Sequence, residues 1–286
     1  MDFAVGNEDR GSARAGAEAF TLIELLVVIV IIALLCGLTI PALTVAKGKG
    51  RALECLNNNR QLLFASALYA ADNNERFVYN LGGDRQRRLS SLSFKASWVN
   101  NVMDWELSAG NTNLAFVTQT PFHPYLKAAA SIYRCPADDV LSRVQSRAGW
   151  RQRVRSLSMN AMVGDPGESL QRGVNINNPE YRQFLKGSDI QDPSGTFVFL
   201  DEHPDSINDG YFLNRPDDLE WTDLPASYHL GACNFGFSDG HAGLHKWRDP
   251  STRRPNRPDA ANLPFAVPAS ETEDFAWITA ATSFEP

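Results

Sequence analysis

Apolar and polar positions are unevenly spread along this chain. From Leu25 through Ala46, 22 consecutive positions carry no charged residue. A helix rising about 1.5 Å per residue crosses a hydrocarbon layer of roughly 30 Å in about 20 residues. The Leu-, Ile- and Val-rich run Phe20–Ala46 therefore predicts a membrane-spanning helix. Cys36, inside the run, reads as a packing residue. Glu24, at its upstream end, does not fit. A carboxylate at the edge of a spanning helix is costly unless it stays near the interface or meets a positive partner.

Beyond Pro41 the pattern continues as a helix to about Asp72. Leu53, Leu56, Leu63, Ala67 and Ala70 recur at three- and four-residue spacings and predict one apolar face. Gly48 and Gly50 weaken the middle, and Asp72-Asn73-Asn74 ends the helix. From Phe77 to Ser131, short strand-like runs alternate with turn signals, and Trp98 and Trp105 mark a core. A short helix is expected between Leu114 and Leu126. Better strands follow. Val154–Asn160 and Ala232–Phe237 alternate, and Thr196–Leu200 is a continuous apolar run between turn residues. Ser238-Asp239-Gly240-His241 is a hairpin signal, with Gly243–Trp247 as the returning strand. Five prolines between Asp249 and Pro268 predict an irregular segment, and Asp274–Ile278 a short helix. Together these elements predict an α+β fold, a long amino-terminal helix packed on an antiparallel β-sheet headpiece.

The chain has 286 residues and a net charge of −6, enough for one helix and one substantial domain. With no strongly basic stretch, a nucleic-acid partner is not expected, and Arg85-Gln86-Arg87-Arg88 reads as a solvated loop. Met1–Ala19 is polar, holds more acidic than basic residues, and makes a poor secretory signal. Lys47, Lys49 and Arg51 on the downstream flank favour the reverse membrane orientation by positive-inside counting.

Ala19-Phe20-Thr21-Leu22-Ile23-Glu24-Leu25-Leu26 resembles the cleavage and methylation motif of type IV prepilins and type II secretion pseudopilins. The resemblance implies that prepilin peptidase cuts between Ala19 and Phe20, that Phe20 is N-methylated, and that Glu24 pairs with the new terminal amine of a neighbouring subunit. It outweighs the charge count on orientation. Pro41 falls 21 residues after Phe20, where many pilins carry a helix-kinking proline. Ala19 stands where the family usually has Gly. His229, nine intervening residues, then Asp239-Gly240 resembles the pattern of a prepilin-like subgroup abundant in Planctomycetes and Verrucomicrobia. Cys55–Gln61, Cys135–Asp138 and Phe199–His203 also look like that subgroup.

Asp201, Glu202, Asp205, Asn208 and Asp209 form the densest set of oxygen donors. Calcium takes six to eight oxygens on a bent loop, and some pseudopilins bind it, so calcium is the expected cofactor if there is one. The spacing is not that of an EF-hand, and a solvated loop with turn hydrogen bonds is the competing reading. His203, His229, His241 and His245 lack a neighbouring Glu or Cys pair to complete a zinc set and read as structural residues bonding turn backbone. Cys55 and Cys135 are expected to form a disulfide on the oxidising side of the membrane, with Cys233 as the alternative partner.

These readings divide the chain into a leader (1–19), a transmembrane helix (20–46), a helical continuation on the headpiece (47–74) and an extracytoplasmic headpiece (75–286). The expected protein is a non-enzymatic pilin-like subunit. It would sit in the inner membrane by a single pass and then in a pilus or pseudopilus, its partners being the peptidase, other pilin subunits and the membrane. A prepilin-processed surface binding protein and a membrane-tethered metal-dependent hydrolase are the rival readings.

Overall fold

The computed structural model describes residues 21–83, 97–127, 129–258 and 263–285. The Arg85–Arg88 cluster lies outside them. The chain divides into two compact units, Met1–Ala46 and Lys47–Pro286. Helix α1, Leu22–Asp72, runs through the boundary between them.

In the first unit every residue from Thr21 to Ala46 is exposed. The helix continues through Pro41 although proline removes one backbone donor. Thr39 and Thr44 turn their hydroxyls back onto the carbonyls of Leu35 and Ile40, at 2.9 and 3.0 Å, and so hide their polarity inside the helix.

In the second unit α1 ends where the sequence predicts. Asn74 takes a left-handed φ of 57°, and Asn73 Nδ2 donates to Tyr69 O at 2.7 Å, satisfying a carbonyl of the last turn. The buried face differs from the expected one. Leu53 and Ala67 are exposed, whereas Ala52, Cys55, Asn58, Asn59, Leu62, Leu63, Ala65 and Ser66 are buried. The apolar periodicity misled because the seat beneath this helix is partly polar: Asn58 Nδ2, for example, donates to Arg134 O at 3.3 Å.

The main sheet has five strands in the order β5-β1-β4-β7-β8. They are β1 (Leu157–Asn160), β4 (Phe197–Asp201), β5 (Tyr211–Phe212), β7 (Ala232–Phe237) and β8 (Ala242–Lys246). Only the short β5 pairs in parallel, and the other pairings are antiparallel. Two small ribbons, β2 (Leu170–Gln171) with β3 (Val174–Asn175) and β6 (Glu220–Trp221) with β9 (Phe265–Ala266), complete the strands among the described residues. Short helices α2 (Ala115–Thr118), α3 (His123–Leu126) and α4 (Arg143–Arg147) precede the sheet, and α5 (Glu273–Thr282) follows it. The protein is thus α+β, as its sequence pattern indicates.

Strands β1, β4 and β7 are buried at every residue, so alternation along β7 is not core against solvent. Both faces are covered. Leu62 and Leu63 join Leu157, Met159, Phe199, Trp98 and Tyr133 in one core. Phe235, Phe237 and Trp247 join Phe275 and Ile278 of α5 in a second. Asn234 and Gly236, alternating with these aromatics, lie on the α1 side, Gly236 directly against Leu63. The alternation is therefore large against small, with the small side chains making room for the helix. At the far end of β7, Gly240 (φ 95°) closes the expected hairpin to β8, a conformation that favours glycine.

Candidate functional site

Two features carry chemistry. The first is the start of α1. Glu24 Oε2 accepts from Thr21 N at 2.9 Å and from Thr21 Oγ1 at 2.7 Å, while Thr21 Oγ1 accepts from Glu24 N at 3.2 Å. This is a capping box, signalled by Thr21-Leu22-Ile23-Glu24. The sequence reading gave Glu24 only an intermolecular role and missed this local one. The box fixes the carboxylate at the first turn, where the helix dipole favours an anion. Ala19 and Phe20, the cleavage residues, lie outside the described residues.

The second feature is a buried cluster that sequence spacing did not reveal. One ligand-type atom each from Cys55, Cys135, Asp201 and His229 lies within 4.8 Å of the other three, and all four residues are buried. Four separate elements deliver them. Cys55 comes from the buried face of α1, Asp201 from the last position of β4. Cys135 follows the 3₁₀ turn Ala130–Tyr133, its N–H anchored on Ser156 Oγ at 2.6 Å. His229 sits before β7, where Leu230 (φ 58°) and Gly231 (φ 83°) turn the chain back so that His229 and Ala232 exchange backbone hydrogen bonds.

Within the cluster Cys55 Sγ lies 3.2 and 3.1 Å from the two oxygens of Asp201. His229 Nε2 lies 3.2 Å from Asp201 Oδ2 and 3.4 Å from Cys135 Sγ. Burial, helped by Cys135 and the Asp201 carboxylate, holds the Cys55 thiol well above the usual range. Burial opposes charge on His229, but the hydrogen bonds its ring makes to Asp201 and Cys135 outweigh it and lift the imidazole to about 10.

The expected Cys55–Cys135 disulfide is not formed. Both are free thiols; their sulfurs are near neighbours without a bond between them, Cys55 Sγ also facing Asp201 and Cys135 Sγ facing His229. Cys233 is also a free thiol, and its Sγ donates to Asp201 O at 3.2 Å instead of entering the cluster. The histidine readings divide in the same way. His203 Nδ1 accepts from Asp205 N at 3.2 Å, and His241 bonds Asp239 Oδ1 at 2.6 Å, so these two brace turns. His245 stacks on Trp277 at 3.6 Å between ring centroids. His229 does not bond turn backbone through its ring; it faces two cysteines and a carboxylate.

The cluster is not a nucleophilic triad. Such a relay uses one imidazole nitrogen toward the nucleophile and the other toward the carboxylate. Here Cys135 and Asp201 address the same nitrogen, Nε2, while Nδ1 is buried without a hydrogen-bond partner among the described residues.

The residues of the calcium expectation are each engaged by protein groups. Asp201 turns to Cys55 and His229, and Glu202 takes the Ser158 hydroxyl. Asp205 accepts from Arg257 N at 2.9 and 2.8 Å, Asn208 Oδ1 from Asp209 N, and Asp209 from Gly83 N and Tyr211 N. Positive charge arrives from the protein itself. The buried Arg155 guanidinium donates to Asp209 O at 2.5 Å and to Ser158 Oγ at 3.0 Å. Burial raises Glu202 to about 8, against the pull of Ser158 and Arg155. Five oxygen donors close in sequence therefore meet separate protein partners.

No curated protein and no solved structure matches the chain. Residues 14–40 match the prokaryotic N-terminal methylation motif, so the chain carries a prepilin-type amino terminus on a helix long and apolar enough to cross a membrane.

Proposed function

We propose that this protein is a pilin-like structural subunit. Prepilin peptidase cuts it between Ala19 and Phe20, Phe20 is N-methylated, and the mature chain enters a type IV pilus or a type II secretion pseudopilus through its amino-terminal helix. The leader is 1–19, the spanning segment 20–46, the helical continuation 47–74 and the headpiece 75–286. The subunit waits in the inner (cytoplasmic) membrane, crossing it once with the headpiece outside, before joining the filament.

The observation that carries this reading is the exposure of the apolar helix. Leu22, Ile23, Leu25 and Leu26 are 83, 68, 56 and 51 % exposed, immediately around the capped Glu24. An apolar surface of this length needs lipid or neighbouring helices to cover it. Cutting before Phe20 would put a cation one helical turn from the Glu24 anion. On the continuation, Leu53 and Phe64 are 67 and 70 % exposed, which extends the surface a filament neighbour would cover. A structural rather than catalytic part for the Cys–His–Asp cluster is supported by its burial. The His229 to Asp239-Gly240 pattern supports membership of the prepilin-like subgroup that carries it, its two ends bracketing strand β7.

Mass spectrometry of the chain extracted from its native membranes tests this reading. The expected amino terminus is N-methyl-Phe20; a retained leader overturns it.

A further inference from the structure

We propose that Cys55, Cys135, Asp201 and His229 form a structural zinc site that ties α1 to the headpiece sheet. The inference does not depend on the filament reading.

The geometry fits four-coordinate zinc. With zinc–sulfur bonds of about 2.3 Å and zinc–nitrogen or zinc–oxygen bonds of about 2.0–2.2 Å, neighbouring ligand atoms in a tetrahedron stand roughly 3.3–3.8 Å apart. The contacts from Cys55 Sγ to Asp201, from His229 Nε2 to Asp201 and from His229 Nε2 to Cys135 Sγ are 3.1, 3.2 and 3.4 Å. The remaining pairs lie within 4.8 Å. Small movements of side chains would close these into one shell.

The hydrogen-bond pattern points the same way. Asp201 and Cys135 converge on the same imidazole nitrogen, Nε2, which leaves at most one N–H to be shared between them. A cation between them satisfies both at once. Ala137 N, at 3.4 Å, donates to Cys135 Sγ, an amide that suits a thiolate. The donor set chooses the metal: two sulfurs, one imidazole and one carboxylate suit zinc, whereas calcium and magnesium take oxygen. Four protein ligands in a buried site leave no open position for a substrate, which marks a structural centre rather than a catalytic one. Zinc would displace the protons of both thiols and of the imidazole, and it would bridge Cys55 to Asp201 across 146 residues and Cys135 to His229 across 94.

The test is metal analysis of the full chain, purified in detergent without chelator. One zinc per chain is expected. Cys135→Ser and His229→Ala should each lose most of it, while Cys233→Ala, whose sulfur faces a carbonyl, should keep it. Because the ligand variants risk misfolding, the wild-type chain should also be stripped and reloaded with cobalt(II). Thiolate-to-cobalt charge-transfer absorption together with intense tetrahedral d–d bands is the expected spectrum. Full zinc content in both ligand variants overturns the proposal. So does a zinc-free wild-type chain that binds no cobalt, or one carrying a Cys55–Cys135 disulfide in a non-reducing peptide map.

Discussion

Leu63 of α1 rests on the bare backbone of Gly236 in β7: a Cβ added to Gly236 would lie 2.9 Å from Leu63 Cδ1 and 3.1 Å from Cγ. This contact sets how deeply the helix sits on the sheet. Cys55, two turns earlier on the same buried face, thereby reaches Asp201 at the end of β4. Gly236→Ala should destabilise the headpiece by about 1–3 kcal/mol through overpacking. Leu63→Ala should cost about 2–5 kcal/mol through the cavity it leaves. The double variant should be less destabilised than the sum, with a coupling of about 0.5–3 kcal/mol. Thermal unfolding of the four chains measures the cycle, and strict additivity would show that the two residues do not set the spacing.

This seat explains why the site was hidden in the sequence while the fold was not. The apolar run, the end of α1 at Asp72, strands β1, β4, β7 and β8 and the Asp239-Gly240 turn rest on local signals that the structure follows, whereas the strand-like runs expected between Phe77 and Ser131 form no strand among the described residues. The buried face of α1 does not. It carries Cys55, Asn58, Asn59 and Ser66, which a search for apolar spacing discards in favour of Leu53 and Ala67. All four cluster residues fall in segments the sequence had singled out. Nothing in the spacing 55, 135, 201, 229 says that they meet, because long-range sheet and helix packing brings them together. The acidic segment is the opposite case. Density along the chain suggested one ion, but strand pleating sends Asp201 and Glu202 to different partners and Arg155 supplies the positive charge.

Glu24 caps its own helix, and the proposed assembly would give it a second, separable role, pairing with a neighbour's amine. Glu24→Gln keeps an acceptor for Thr21 N and so preserves the cap, but it removes the anion. Glu24→Ala removes both. Both variants should insert into the membrane normally, since losing a charge eases insertion, and both should be missing from sheared filaments. If the Gln variant assembles like the wild type and only the Ala variant fails, the cap and not the charge is what assembly needs.

His245 supplies a pH signature. Burial against Trp277 lowers its pKa below the ordinary 6.5, Asp274 opposes that, and Arg248 adds to it. A base whose folded pKa is depressed takes up protons more readily when unfolded, so its contribution to stability is complete above pH about 6.5 and is lost as the pH falls below it. His245→Gln, which cannot titrate, lacks this loss, so the difference in thermal midpoint between the wild type and the variant should shift in the variant's favour as the pH falls from 7.5 to 5.5. Parallel pH profiles for the two proteins would remove His245 as a source.

Asp205 decides between an ion loop and a set of local braces. Its side chain is fully buried, and both oxygens accept from Arg257 N at 2.9 and 2.8 Å. The neighbouring acids are equally occupied: Glu202 by the Ser158 hydroxyl, Asp209 by Gly83 N and Tyr211 N. Calcium would have to displace these donors, and it would meet the Arg155 guanidinium at Asp209 O, 2.5 Å away. Calcium and chelator should therefore give the same unfolding midpoint. Asp205→Ala should still destabilise the chain, by about 1–3 kcal/mol, because it strands a backbone donor that the carboxylate serves. A calcium site predicts the reverse: a midpoint that climbs with the logarithm of calcium concentration, and an Asp205→Ala chain that loses this climb while staying as stable as the wild type in chelator. Differential scanning calorimetry of both chains, in a calcium-selective chelator that leaves zinc bound and again in excess calcium, separates the two outcomes.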